Sequence, residues 1–394
     1  MRDPRSRPSF PKQRLAALLL LCAAAAMPAP GPLFALQTPA AAPHAAAVRA
    51  TPERYVAAIE TGHEILDSLR MATNIPGLSV AVGIDGDVVW SEGLGFADLE
   101  NRVAVTPLTK FRIGSVSKAV SSIAVGRLVE QGHLDLDATV QTYVPSFPAK
   151  RWPITTRLVA GHLAGIRHYR GAEFESARHY ATVAQGLTIF ADDSLLFEPG
   201  TRWSYSSYGW NLVSAVVEGA AGEPFLAYMR REVFDPAGLS DMVSDQVDSL
   251  VMFRTRYYQK ALDGAVLNAP FVDNSYKWAG GGFLSTPTEL VELAFALLDG
   301  ELLERETLET LWTPQRTRDG RETEYGIGWY VSQDEAGRRM VGHGGGSVGG
   351  TTLFWVWPEQ EVVVALTANL GEAPLGGRAF AERLAIPFLA AESD

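Results

Sequence analysis

Three observations predict an α+β fold for this 394-residue chain: β-rich segments near both ends, helical patterns through the middle, and further helical patterns outside the strands. The first strand pair is read at 77–84 (Gly77-Leu-Ser-Val-Ala-Val-Gly-Ile84) and 88–92, because Asp85, Gly86 and Asp87 between them form a tight-turn sequence. Short β-rich segments recur at 325–332, 338–341, 351–357 and 361–367, separated by Gly, Pro or acidic turns. A helix at 52–71 precedes the first strand, and an amphipathic helix at 377–389 closes the chain. Helical patterns between the strand-bearing ends cover 115–131, 212–220, 224–234 and 288–298, each stopped by a following Gly or Pro. The simplest arrangement is an antiparallel sheet built from both ends of the chain and flanked by the terminal helices. A mostly helical lobe is then inserted at roughly 105–315, and the cleft between the two is the expected site. No internal repeat is present.

The first 35 residues read as an export signal. Arg2, Arg5, Arg7, Lys12 and Arg14 precede an apolar run at 15–27, followed by small residues and prolines. That run is too short for a bilayer span, which needs about 20 residues, and no longer apolar run follows, so no transmembrane span is expected. Residues 36–50 are rich in Ala and Pro without periodicity and read as a flexible spacer, leaving 51–394 as the folded body. The single cysteine, Cys22, lies inside the signal, so the exported chain has no disulfide and no cysteine-based metal site. Loss of the signal removes five cations and one anion, taking the formal charge from −11 to about −15. Such a surface repels nucleic acid and anionic lipid, which leaves a small molecule or a peptide as the expected partner.

Three segments carry groups suited to chemistry. In Gly114-Ser115-Val-Ser-Lys118, at the mouth of a helix read as amphipathic, the i, i+3 spacing sets the Lys118 amine beside the Ser115 hydroxyl. The helix start offers free N–H groups and a positive dipole end to negative charge on the serine oxygen or on an attacked carbonyl. These are the requirements of an activated nucleophile. By itself S-x-x-K reads first as a capping serine with a solvated lysine. In Trp203-Ser-Tyr205-Ser-Ser207, a phenol close to a lysine can have its pKa lowered and serve as a general base, although a packed aromatic reads the same way. In His343-Gly344-Gly345-Gly346, between β-rich segments, the glycines allow close approach to backbone N–H groups, as an oxyanion hole requires, and a flexible hairpin is the other reading.

The order and context of these three segments resemble the serine β-lactamase and penicillin-binding protein superfamily, in its class C-like branch of D-aminopeptidases, esterases and LACTB-like proteins. The resemblance runs from about residue 77 to 367 and includes Lys277-Trp-Ala-Gly280-Gly-Gly-Phe-Leu-Ser-Thr286 and Tyr325-Gly-Ile-Gly-Trp329; Leu163-Ala-Gly165-Ile-Arg-His-Tyr169 is most similar to the LACTB-like group. It implies a β-lactamase/transpeptidase-like fold and acyl transfer through Ser115, with Lys118 as proton acceptor or electrostatic activator and Tyr205 as general base and acid. The N–H groups of Ser115 and Gly346 would form the oxyanion hole, and no metal or organic cofactor would be required. The sequence departs from the family pattern at Ser207, commonly Asn, and at His343-Gly344-Gly345, often Lys-Thr-Gly. Ser207 has a shorter reach, and His343 is largely neutral at pH 7, so a peptide or ester is favoured over a β-lactam or a D,D-peptidase substrate. A non-catalytic binding or scaffold protein on the same fold is the alternative from another class.

Two other patterns carry less. Gly345-Gly-Ser347-Val-Gly349 matches G-x-S-x-G, but no helix follows it and no histidine lies downstream. His162, His168 and His179 lack metal-ligand spacing and read as structural or surface residues.

Overall fold

The computed structural model describes residues 53–375 and 377–392; the export signal and the spacer lie outside the described residues. Helix α1 (Val56–Thr73) leads into strands β1 (Gly77–Ile84) and β2 (Asp87–Asp98), joined through Asp85 and Gly86, both at positive φ as a primed turn demands. A two-residue strand β3 (Val103–Ala104) precedes the helical region, whose principal members are α2 (Val116–Glu130), α3 (Ser207–Ala221) and α4 (Pro287–Leu298). The chain then returns through β4 (Tyr330–Gln333), β5 (Arg339–Ser347), β6 (Gly350–Trp357) and β7 (Val362–Ala368), and ends in α5 (Gly377–Ala391).

These seven strands form one sheet in the order β3-β2-β1-β7-β6-β5-β4. The two ends of the chain meet at its centre, where β1 pairs antiparallel with β7 from Leu78 opposite Ala368 to Ile84 opposite Val362. Strand β7 reads Val-Val-Val-Ala-Leu-Thr-Ala with every residue buried, the pattern of a strand covered on both faces. Its side chains alternate: Val364 and Leu366 join the core beneath α1 and α5, while Val363 and Ala365 join the core shared with α2, α3 and α4. Burying each such valine or leucine contributes about 1.5–3 kcal/mol.

Three sequence expectations change in the structure. Strand β4 is shorter than the expected 325–332 segment, because Tyr325 makes only an isolated bridge to Tyr330 and residues 326–329 turn away to pack Trp329 into the helical core. Strand β5 is longer than expected: the His343–Gly346 glycine run continues the strand and is no hairpin loop. Helix α2 is not amphipathic, since twelve of its fifteen residues are buried and it runs through the middle of the larger core.

Candidate active site

Ser115 sits at the N-cap position of α2, and its side chain makes no capping hydrogen bond. Its hydroxyl is therefore free for another partner. Lys118 supplies it, with Nζ 3.0 Å from Ser115 Oγ. The same amine contacts Ser207 Oγ at 3.2 Å and the carbonyl oxygen of Gly280 at 2.6 Å, and none of these three partners is a carboxylate. The Lys118 side chain is 0% exposed. Burial first, and the nearby Lys277 charge second, hold its pKa well below the ordinary lysine value.

Tyr205 closes the group. Lys118 Nζ lies 4.9 Å from its ring centroid, and its phenol hydrogen-bonds to both Ser115 and Ser207. The expectation that the neighbouring lysine lowers the phenol pKa is reversed: burial pushes it up, outweighing the hydrogen bond to Ser115. Tyr205 is thus a protonated phenol at rest, and Lys118 is the group whose surroundings favour a neutral base.

The glycine strand lies against the start of α2. Gly114 has φ +50, and a Cβ there would meet Gly346 O at 2.6 Å, so only glycine brings the two backbones this close. Along β5 the faces alternate. A Cβ on Gly344 or Gly346 meets nothing within 4 Å, whereas one on Gly345 would lie 2.0 Å from Ile113 O. Gly344 and Gly346 thus face open space and Gly345 faces the body. Pairing of β5 with β4 ends at Gly342 opposite Tyr330, so on that side the edge of residues 343–347 has no strand partner among the described residues.

His343 does not offer a free nitrogen to this cleft. It is buried, and its Nδ1 lies 2.6 Å from Gly344 O, which can only accept, so Nδ1 carries the proton and Nε2 accepts from the Tyr325 hydroxyl at 3.1 Å. That arrangement needs a neutral ring, and burial followed by the Lys118 charge lowers the pKa to about 3. Its ring lines the cleft together with Tyr205 and Tyr330.

Two histidines read from sequence as structural or surface residues prove to brace the Tyr205 loop. His162, buried and at φ +63, accepts the Ser206 N–H through Nδ1 at 3.2 Å, and its ring packs tilted at 45° against that of Tyr205 with centroids 4.4 Å apart. His168 accepts the next amide, from Ser207, at 3.1 Å. The Ser206 hydroxyl donates to Arg167 O at 2.7 Å. Consecutive amides are thus held by two neutral imidazoles, and burial, with Lys118 adding to it, lowers both pKa values, that of His168 to about 4. The third, His179, pairs with Asp273 instead. Among the described residues no group of three or more His, Cys, Asp or Glu is arranged to hold a metal ion.

Sequence reasoning also missed the setting of Lys277. This buried lysine projects among Phe174, Tyr276 and Tyr169, with Nζ 4.6, 5.2 and 5.9 Å from the ring centroids. Its position in the Lys277-Trp-Ala-Gly280 stretch was visible in sequence; the aromatic cage, which takes Tyr169 and Phe174 from about a hundred residues upstream, was not.

The beta-lactamase family model matches residues 44–386. The chain belongs to the beta-lactamase family. This family member is 31% identical over 400 residues to the human protein "Serine beta-lactamase-like protein LACTB, mitochondrial", an alignment covering 78% of this chain and 73% of that one. Its fold is shared with an octameric penicillin-binding protein homologue from Pyrococcus abyssi (TM-score 0.72, 24% identity, 84% of this chain and 77% of that one). It is shared equally with a D-amino acid amidase from Ochrobactrum anthropi SV3 (TM-score 0.73, 21% identity, 86% and 100%). Among the described residues of this β-lactamase family member, no helix is long and apolar enough to cross a membrane.

Proposed function

We propose that this protein is a serine acyl hydrolase acting through an acyl-Ser115 intermediate on a peptide or ester. The observation that carries the reading is a completely buried amine 3.0 Å from a half-buried serine hydroxyl, with no carboxylate among its hydrogen-bond partners in the described residues. Burying an ammonium without a counter-ion is costly, and a neutral amine at that spot has a lone pair for the serine proton. Lys118 takes the Ser115 proton as Oγ attacks the substrate carbonyl. The oxyanion is held by the N–H groups of Ser115 and Gly346, the first at a helix start and the second on the open glycine edge. Tyr205 gives its phenol proton to the leaving group and is reprotonated from Lys118. Water then attacks the acyl-enzyme by the reverse route.

Ser207 and the occupied His343 ring support an ester or amide over a β-lactam, since neither offers a cation to a substrate carboxylate. β-Lactamase or D,D-peptidase activity is the second reading within the same chemistry. Export also belongs to the proposal, on the strength of the basic and apolar leader; N-terminal sequencing of the secreted protein tests it. The activity test is a screen of purified protein against p-nitrophenyl esters, aminoacyl p-nitroanilides and nitrocefin. Turnover of an ester or anilide with weak nitrocefin hydrolysis is expected. Efficient nitrocefin turnover would favour the second reading, and silence on all three would point to a binding protein.

A further inference from the structure

A cleft of about 610 Å³ opens beside the reacting groups, lined by Tyr205, Tyr330, His343, Gly344, Trp355 and Glu324 among others. Its place along the strand matters. Gly344 lies two residues before Gly346, about 7 Å along β5, so a substrate whose carbonyl oxygen sits at Gly346 reaches the cleft with the part nearest Tyr205. In the mechanism above Tyr205 protonates the leaving group, so the cleft receives that half of the substrate.

The charges around the cleft are unbalanced. Two lining residues are charged, Glu324 and Arg378, and His343 is held neutral. Arg378 is answered by Glu382 at 3.4 Å and also donates to Ser332. The exposed Glu324 carboxylate enters no ion pair or hydrogen bond among the described residues. Its backbone sits at φ +56, a conformation that costs a non-glycine residue energy. The conformation is nevertheless fixed by the Val331 N–H, which donates to Glu324 O at 2.9 Å, and by the Tyr325–Tyr330 bridge. Tyr330 and Trp355 line the same cleft as this carboxylate, and the Trp355 indole N–H is buried without a partner among the described residues. A cleft that combines an unpaired carboxylate with electron-rich rings has the chemistry that recognises an organic cation.

We propose that this cleft is the leaving-group subsite and that Glu324, with Tyr330 and Trp355, selects a leaving group bearing a positive charge, such as an alkylammonium alcohol or a basic amine. The inference rests on the hydrolase reading. It names the substrate class by charge, the opposite of the carboxylate that a third-motif lysine would hold.

The test compares two esters of equal shape, acetylcholine and 3,3-dimethylbutyl acetate, which differ only in a cationic nitrogen against a neutral carbon. The readout is the ratio of their kcat/KM values, with p-nitrophenyl acetate reporting turnover independently of leaving-group charge. A ratio of about ten is expected for the natural protein, as an ion pair and ring contacts at a partly open site supply. Glu324→Gln should bring the ratio close to one, and Glu324→Lys should take it below one, with circular dichroism confirming the fold. A ratio of one in the natural protein, or one that Glu324→Gln leaves unchanged, overturns the charge selection while leaving the hydrolase reading standing. Absence of turnover on these esters, on aminoacyl p-nitroanilides and on nitrocefin overturns both, and turnover of an anilide alone overturns the ester-selecting subsite while leaving the hydrolase reading standing.

Discussion

Lys277→Met tests how the buried charges near Ser115 are arranged. Methionine keeps the length of the side chain inside the Phe174, Tyr276 and Tyr169 cage and removes the ammonium. Burial, and after it the Arg112 charge, lowers the Lys277 pKa from 10.5 to about 7, with Asp245 opposing. A lysine with a lowered folded-state pKa binds fewer protons folded than unfolded, so its penalty is fully present below pH 7 and disappears as pH rises through 10.5. At 1.36 kcal/mol per pH unit the gap amounts to about 4–5 kcal/mol, from which the lost cation–π contacts subtract about 2. The variant should be more stable than the natural protein by about 2–3 kcal/mol at pH 6 in denaturant unfolding, and this advantage should shrink as pH is raised to 10. Because Lys277 is one of the two causes of the lowered Lys118 pKa, its loss should also move the acidic limb of kcat/KM to higher pH. A stability difference that ignores pH, or an acidic limb that stays in place, would refute this electrostatic account.

The other groups make separate predictions. Lys118→Ala and Tyr205→Phe should each lower kcat/KM by about two orders of magnitude or more while the protein stays folded, measured by steady-state kinetics alongside near-UV circular dichroism. Gly345→Ala should destabilise the protein by about 1–3 kcal/mol or more, because the methyl would lie 2.0 Å from Ile113 O. Gly344→Ala, with nothing within 4 Å of its Cβ, should keep the fold in a thermal melt and disturb substrate kinetics alone. His168→Ala should slow acylation by leaving the Ser207 N–H without its acceptor, and His168→Asn, whose amide oxygen can take that bond, should recover most of the rate. In the natural protein, activity should fall as the pH approaches 4, where His168 gains a proton and can no longer accept.

Much of the architecture was legible because it rests on local pattern. Asp85-Gly86 forced a hairpin, Gly222 and Gly300 ended helices, and the apolar run of β7 announced a buried strand. The Ser115–Lys118 pairing was legible for the same reason, since one helical turn fixes it. What escaped depends on long-range contact. The interior position of α2 arises from the larger core closing around it, and no periodicity within 115–131 reveals that. The strand character of His343–Gly346 comes from register with β6, where Gly346 faces Thr351, overriding the low strand propensity of glycine. The brace formed by His162 and His168 joins residues about forty positions from their partners, so neither histidine carried a local sign of it. The raised phenol pKa of Tyr205 likewise reflects burial, which a short motif does not encode.

In the proposed mechanism Ser115 is a nucleophile made reactive by the neutral amine of Lys118. Intact-mass spectrometry after exposure to a fluorophosphonate measures this directly. One adduct is expected, mapped by peptide sequencing to Ser115, absent from Ser115→Ala and formed at least a hundredfold more slowly in Lys118→Ala. An unmodified protein, or an adduct that forms equally fast without the lysine, would contradict it.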